Sequence, residues 1–418
     1  MLQKIKKVLF RFHILSLVII AGYILLALRQ IQTNSFTFDE PAHIRSGLEW
    51  LTTGYSPSDP FNPPLTKIPF GLLQLLGYRL LSDPFLHLAR LVSVGITALF
   101  FVYFYFWTRK IFSQTIAFIG LLFLVCEPTV LAYTHLATTE AMSMAVVFFV
   151  FTRGVEAFQK RSVNNFCVFI FSLFLLFLSK TVFLIAFLPL CIYVFLSYKR
   201  FFSEDFFLPV FITIMTCMII SLLFVGGHSY HVFLFSFPGA GILRTTFSAI
   251  SFVFNPKYTP TRSFIFFGKV YQKGVYIYPL VVFLLKTTPQ LLILFTLFLI
   301  KKYYKYQLVL QVSLITILAF FIIVVIGNYN IGQRHLLPVF PLIALVSSVT
   351  FYTLIKGTKN FFLKYGVIVT LGVLCMFSAI TPDSIAYITP VVGPVIGGNI
   401  IGESNFDWGQ SLPILAQE

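Results

Sequence analysis

Residues 66–82 read TKIPFGLLQLLGYRLLS, and whether they cross a bilayer decides how the whole chain is threaded. The stretch is apolar but short, and it carries Lys67, Pro69, Gln74 and Arg79. A helix needs about 20 apolar residues to span the hydrocarbon core. If 66–82 crossed, the basic turn at Arg109-Lys110 would fall outside and each later basic turn would invert. Cytoplasmic loops collect Lys and Arg. The stretch is therefore read as an interfacial helix that stays on the outer side.

The threading then follows in both directions. Lys4, Lys6, Lys7 and Arg11 place the N-terminus in the cytoplasm, and residues 9–28, with no small-residue cleavage site behind them, form a retained first span. Residues 30–88 make a first outer loop. Spans are expected at 89–108, 115–133 and 139–156, followed by a helical hairpin at 165–197 that turns outside near Ser179-Lys180. Further spans at 206–225, 279–300, 307–326, 336–355 and 366–381 bring the total to about eleven, with the C-terminus outside. The expected organisation is a transmembrane domain over 1–381, with a long outer loop at 226–278, and a short extracytoplasmic tail at 382–418.

Composition agrees with this class. Hydrophobic residues make up 58% of the chain, 52 residues are Phe, and only 11% are charged, more apolar surface than a soluble domain can hide. The apolar runs are continuous rather than alternating, which excludes a β-barrel and leaves an all-α polytopic membrane protein. The net charge of +16 comes from Lys and Arg, many of them at span ends, without the aromatic-basic pattern of an RNA binder, so no nucleic-acid partner is expected. Cys126, Cys167, Cys191, Cys217 and Cys375 lie in or beside apolar runs with no metal-type spacing. No glycine-rich nucleotide motif is present, so an activated substrate has to arrive through the membrane.

The threading puts the polar clusters on one side. Just after the first span comes Phe38-Asp39-Glu40-Pro41-Ala42-His43. Pro41 suits a first helical turn, Asp39 or Glu40 is placed to cap it, Ile44, Leu48 and Leu51 share a face, and Gly54 ends the helix. The pair is either a plain cap with solvated acids or a general base with a companion; a carboxylate at a helix N-terminus stays ionised and can take a proton from a hydroxyl. Glu127, Glu140, Lys180, Lys286, Gln333-Arg334-His335, Glu403 and Asp407 fall on the same side. Lys67, Lys286 and Arg334 also sit near span ends, where a cation reaching for the interface is ordinary. Lys180 reads equally as a topology marker or a buried pair, and Glu127 as a structural cap. His228 and His231 in the long loop have no clear third partner for a metal.

Five segments together resemble the C-type polyprenyl-phosphate-dependent membrane glycosyltransferases, close to the protein O-mannosyltransferases and the aminoarabinose transferases. These are Phe38 to His43 with Gly47, Asn62-Pro63-Pro64-Leu65 and Lys67; Cys126 to Ala132 through Thr138-Thr139-Glu140; Leu285-Lys286-Thr287-Thr288-Pro289; Asn330 to Pro338; and Glu403 to Gln410. The resemblance implies a bundle of that kind with interfacial helices in the first outer loop. It makes Asp39 the catalytic base, with Glu40 and His43 as companions that orient it or balance its charge. Glu140 stands where the family usually has Asp, Asn62 where it often has His, and Tyr133 where it often has His. Arg334 is the first candidate for the donor phosphate, with Lys67, Lys286 and His335 as helpers; Asp407 and Trp408 would form a lid or docking edge.

The implied reaction transfers a sugar from a polyprenyl-phosphate donor to an acceptor hydroxyl of a protein, lipid or glycan, with inversion, at the outer face of a plasma (inner) membrane. No cofactor is demanded by any motif; a divalent cation held through oxygen by Asp39 and Glu140 is compatible with them. An oligosaccharide ligase or polymerase is the nearest rival. A transporter is disfavoured because 207–224, 307–326 and 336–355 carry no charge at mid-membrane.

Overall fold

The computed structural model describes residues 2–77, 83–198, 204–224, 229–232, 235–238, 240–254, 264–301, 307–327, 332–402 and 405–412. Arg79, His228, Asn330 and Glu403 lie outside the described residues. The helices are α1 (Leu2–Thr33), α2 (Glu40–Thr53), α3 (Ile68–Leu75), α4 (Asp83–Ile111), α5 (Gln114–Val125), α6 (Pro128–Thr134), α7 (Glu140–Lys160), α8 (Val163–Lys180), α9 (Leu188–Tyr198), α10 (Glu204–Phe224), α11 (Ala240–Phe254), α12 (Tyr278–Lys286), α13 (Pro289–Lys301), α14 (Gln307–Ile326), α15 (Phe340–Gly357), α16 (Phe361–Ala379) and α17 (Pro394–Ile400). Two 3-10 helices, Thr181–Phe187 and Gln333–Val339, join α8 to α9 and lead into α15. The 226–278 stretch, expected as a loop, holds α11 and two antiparallel hairpins, β1 (Ser229–Val232) with β2 (Phe235–Pro238) and β3 (Phe264–Phe266) with β4 (Lys269–Tyr271).

Among the described residues, seven helices are long and apolar enough to span, or up to nine if each of two bent pairs is one span. One of the seven, Val163–Tyr198, folds back on itself. The Tyr198 hydroxyl donates to the carbonyls of Ser162 (2.9 Å) and Ala157 (3.0 Å), and its ring lies 4.7 Å from Phe166. This is the expected hairpin; α10 carries a shorter apolar run, Phe207–Ile219. α3 is eight residues long. At 1.5 Å per residue that is about 12 Å, far too short to cross. Its Leu72, Leu75 and Leu76 face outward, as on an interfacial helix.

The bent pairs correct two expected straight spans. α5 and α6 meet at 66°, and α12 and α13 at 117°. Each break precedes a proline, Pro128 or Pro289, which disfavours the helical conformation in the residue before it; Glu127 is extended there, at φ −84° and ψ 113°. Side chains satisfy the interrupted backbone. The Glu127 carboxylate accepts from the Thr288 hydroxyl (2.7 Å) and N–H (3.3 Å). Gln333 accepts from the Thr129 hydroxyl and donates to that of Thr287, both at 3.0 Å. Such irregular backbone is tolerated at membrane depth only inside protein.

The two ends of the bundle differ chemically. One holds basic turns: Arg109 bonds His13 (3.0 Å), and Glu156 pairs with Lys110 and Arg153 (3.0 Å each). The exits of α1 and α8 and the starts of α4, α7 and the Gln333–Val339 helix converge at the other end through the contacts described next.

Candidate active site at the polar end of the bundle

The adjacent acids of α2 part company. Glu40 is fully buried and turns toward α4, where Arg90 donates from Nε (2.8 Å) and Nη2 (2.7 Å) to its two oxygens. The N–H groups of Thr37 and Ala137 add bonds of 2.9 Å each. Arg90 also donates to the carbonyls of Asn34 (2.7 Å) and Ser35 (2.6 Å). Burial alone would raise the Glu40 carboxyl, but the Arg90 bond and charge hold it below the usual range. Glu40 thus ties α1, α2, α4 and the chain before α7 together, and it does not line the cavity.

Asp39 occupies the N-cap position without capping α2 with its side chain. It points instead at Arg334, whose Nη1 donates to Oδ2 at 2.5 Å. The expected cap is therefore absent from both acids. The buried face of α2 is Glu40, His43, Ile44, Ser46, Gly47 and Trp50 rather than the Ile44-Leu48-Leu51 stripe. Gly47 explains the shift: a Cβ there would lie 2.4 Å from the Lys67 carbonyl oxygen, so only glycine lets α2 and α3 approach this closely.

A second buried knot centres on Asp59. His43 donates from Nδ1 to Oδ2 (2.8 Å), Lys67 pairs with the same oxygen (2.6 Å), and the Asn62 amide reaches both oxygens at 3.0 Å. Burial opposes the Asp59 charge, but Lys67 and His43 hold the carboxyl well below its ordinary range. Burial likewise lowers Lys67, against the pull of Asp59. Lys67 is fully buried and lies outside the cavity lining, so its expected phosphate role does not match its position. In the sequence Asp59 sits in Ser56-Pro57-Ser58-Asp59-Pro60, where it reads as an ordinary turn residue.

The cavity in front of this frame measures about 390 Å³. Asp39, His43, Asp59, Asn62, Glu140, Lys180, Arg334 and His335 line it, with Val182, Phe183, Ile323 and Val324 as part of its apolar wall. Glu140 opens α7 and Lys180 closes α8, with 3.5 Å between carboxylate and ammonium. Lys180 is the cation that sequence reading left undecided. Arg334 follows Gly332, whose φ of 100° is open to glycine, and its guanidinium lies 4.3 Å over the Trp408 ring.

Lys286 and Asp407 lie elsewhere. The Lys286 ammonium is buried and donates to the carbonyls of Ile385 (2.5 Å) and Asn405, fastening the tail rather than facing the cavity. Asp407 is exposed and accepts from the Gly409 N–H (2.8 Å) within its own turn. Trp408 is buried, and its carbonyl accepts from the Phe38 N–H at 2.8 Å. Among the described residues no three His, Cys, Asp or Glu side chains gather as a metal site. Asp39 and Glu140, the pair expected to hold a divalent ion, face Arg334 and Lys180 respectively.

A sequence profile of the dolichyl-phosphate-mannose-protein mannosyltransferase family matches residues 68–225. Among solved structures, ArnT from Cupriavidus metallidurans bound to undecaprenyl phosphate aligns over 86% of this chain and 63% of its own, with 14% identity and a TM-score of 0.57. The archaeal oligosaccharyltransferase AglB from Archaeoglobus fulgidus, in complex with an inhibitory peptide and a dolichol-phosphate, aligns over 92% of this chain and 56% of its own, with 12% identity and a TM-score of 0.50. The chain therefore spans less than two thirds of either neighbour's length. No curated protein sequence matches it. The chain is therefore similar in fold to these two membrane proteins and, over residues 68–225, in sequence profile to the mannosyltransferase family.

Proposed function

We propose that this protein transfers a sugar from a polyprenyl-phosphate donor to an acceptor hydroxyl at the outer face of a plasma membrane, with inversion at the anomeric carbon. The observation that carries this reading is the meeting of Asp39, Glu140, Lys180 and Arg334, from four distant segments, in one cavity with an apolar wall. Asp39 takes the proton of the attacking hydroxyl. The hydroxyl oxygen bonds to the anomeric carbon as the bond to the phosphate oxygen breaks on the opposite side. Charge growing on the departing lipid phosphate is met by Arg334, which offers a planar fork, and by Lys180 and His335. Such preorganised donors are typically worth about 3 kcal/mol each in a transition state. His43 is held by Asp59 beside the base, while Glu40 positions α2 from behind. The apolar wall suits the prenyl chain.

Purified protein incubated with defined lipid-linked sugars and native membrane acceptors, with products read by mass spectrometry, tests this. Release of polyprenyl phosphate with a glycosylated acceptor supports it. Consumption of a lipid-linked oligosaccharide alone would move the protein to the oligosaccharide-transferring branch, and no release from any lipid-linked sugar would remove the reading.

A further inference from the structure

We propose that Arg334 serves two anions in turn, Asp39 before the donor arrives and the donor phosphate afterwards, so that seating the donor is what frees the base. The proposal rests on the donor class given above and adds an order of events to it. Its starting point is charge balance in the cavity. Arg334 rests on Asp39 at 2.5 Å and Lys180 faces Glu140 at 3.5 Å. A phosphate enters a site whose cations are already matched, so it binds by drawing one of them away.

Arg334 is the cation built to move. Its partner Asp39 makes no side-chain bond to its own helix, whereas the neighbouring Glu40 is gripped by Arg90 and two backbone N–H groups. Beneath the guanidinium lies the Trp408 ring, 4.3 Å away. Attraction to an aromatic face does not fix where the cation's edge points, so the fork can turn from carboxylate to phosphate while keeping that contact. The shelf itself is fixed. The Trp408 carbonyl accepts from the Phe38 N–H (2.8 Å), its N–H donates to Gln410 (2.7 Å), and its ring packs against Tyr133 at 6.1 Å between centroids. Trp408 is thus a positioning residue rather than a lid. While Arg334 sits on Oδ2 the carboxylate is engaged there, and both of its oxygens can face a hydroxyl proton when the guanidinium turns away. The donor therefore binds before the acceptor is activated.

Binding of undecaprenyl phosphate to the purified full chain, measured in detergent by native mass spectrometry, provides the test. If Asp39 competes for Arg334, removing that competition tightens the lipid. Asp39→Asn is expected to bind it about five-fold or more tightly. Glu140→Gln, which removes an equal charge near Arg334 but not the acid that Arg334 hydrogen-bonds, measures the plain charge effect, and Asp39→Asn must exceed it. In an Arg334→Gln background, checked for folding by thermal unfolding, the extra gain should vanish; Arg334→Met replaces it if that variant does not fold. Trp408→Ala should weaken binding and Trp408→Phe restore it. Unchanged or weaker binding by Asp39→Asn, in a protein that does bind the lipid, overturns the exchange and leaves the donor reading standing. No binding by the wild type removes the donor reading and the exchange with it.

Discussion

The frame behind the cavity and the cavity itself use the same residue types to different ends. In the frame, Glu40 meets Arg90 and Asp59 meets Lys67, all with side chains at most 7% exposed and each carboxylate held by several donors. In the cavity, Asp39 meets Arg334 with its side chain 22% exposed, and Glu140 faces Lys180 with Arg334 and His43 adding to the field around it. Several grips make a charge part of the architecture. A partly exposed contact at the cavity wall leaves a charge able to change partner, which chemistry on a charged substrate requires.

The contrast breaks most directly at two adjacent residues. Asp39→Asn should lower turnover by about 10²–10⁴-fold, the usual worth of a positioned base, while leaving the protein folded; release of polyprenyl phosphate and a thermal unfolding curve read the two effects separately. Near-normal turnover would take the base away from this position. Glu40→Gln should do the reverse. It strands Arg90 in the interior, at a cost of about 3–5 kcal/mol, and should reduce the yield of folded protein in detergent without a matching loss of turnover per folded molecule.

Acid should separate the regions as well. The carboxyls of Glu40 and Asp59 lie below their ordinary range in the folded protein. Their contribution to stability is therefore complete above the unfolded carboxyl value of about 4 and is lost as pH falls below it. Thermal stability should hold from neutral pH to about 5 and drop beneath about 4; a rise in stability on acidification would contradict these pairings. The smallest effect is expected at Gly47→Ala, where a Cβ would press on the Lys67 carbonyl. Overpacking of this kind costs about 1–3 kcal/mol, seen as a lower melting temperature, and a neutral result would show that α2 and α3 can move apart freely.

Much of the bundle was legible beforehand because span length and basic turns are local properties. The hairpin at 165–197 and the short outer helix at 66–82 came from run length and Lys/Arg placement alone. The sharp bend between α12 and α13 did not, since a proline in an apolar run marks only a possible break. In the site, Asp39, Glu140, Arg334 and His335 stand in recognisable motifs and share the cavity. Lys67 and Lys286 stand in such motifs too and lie outside it, while no local pattern marks Asp59 or Arg90, and Lys180 reads equally as a topology marker or a buried pair.

Apolar run length and turn charge thus settle the fold class, a polytopic helical membrane bundle, because each depends on residues near one another in the chain. Which cation answers which acid depends on distances between segments up to 295 residues apart, as for Asp39 and Arg334. Charge attraction falls with separation and with solvent, so those pairings exist only once packing has brought the segments together and excluded water.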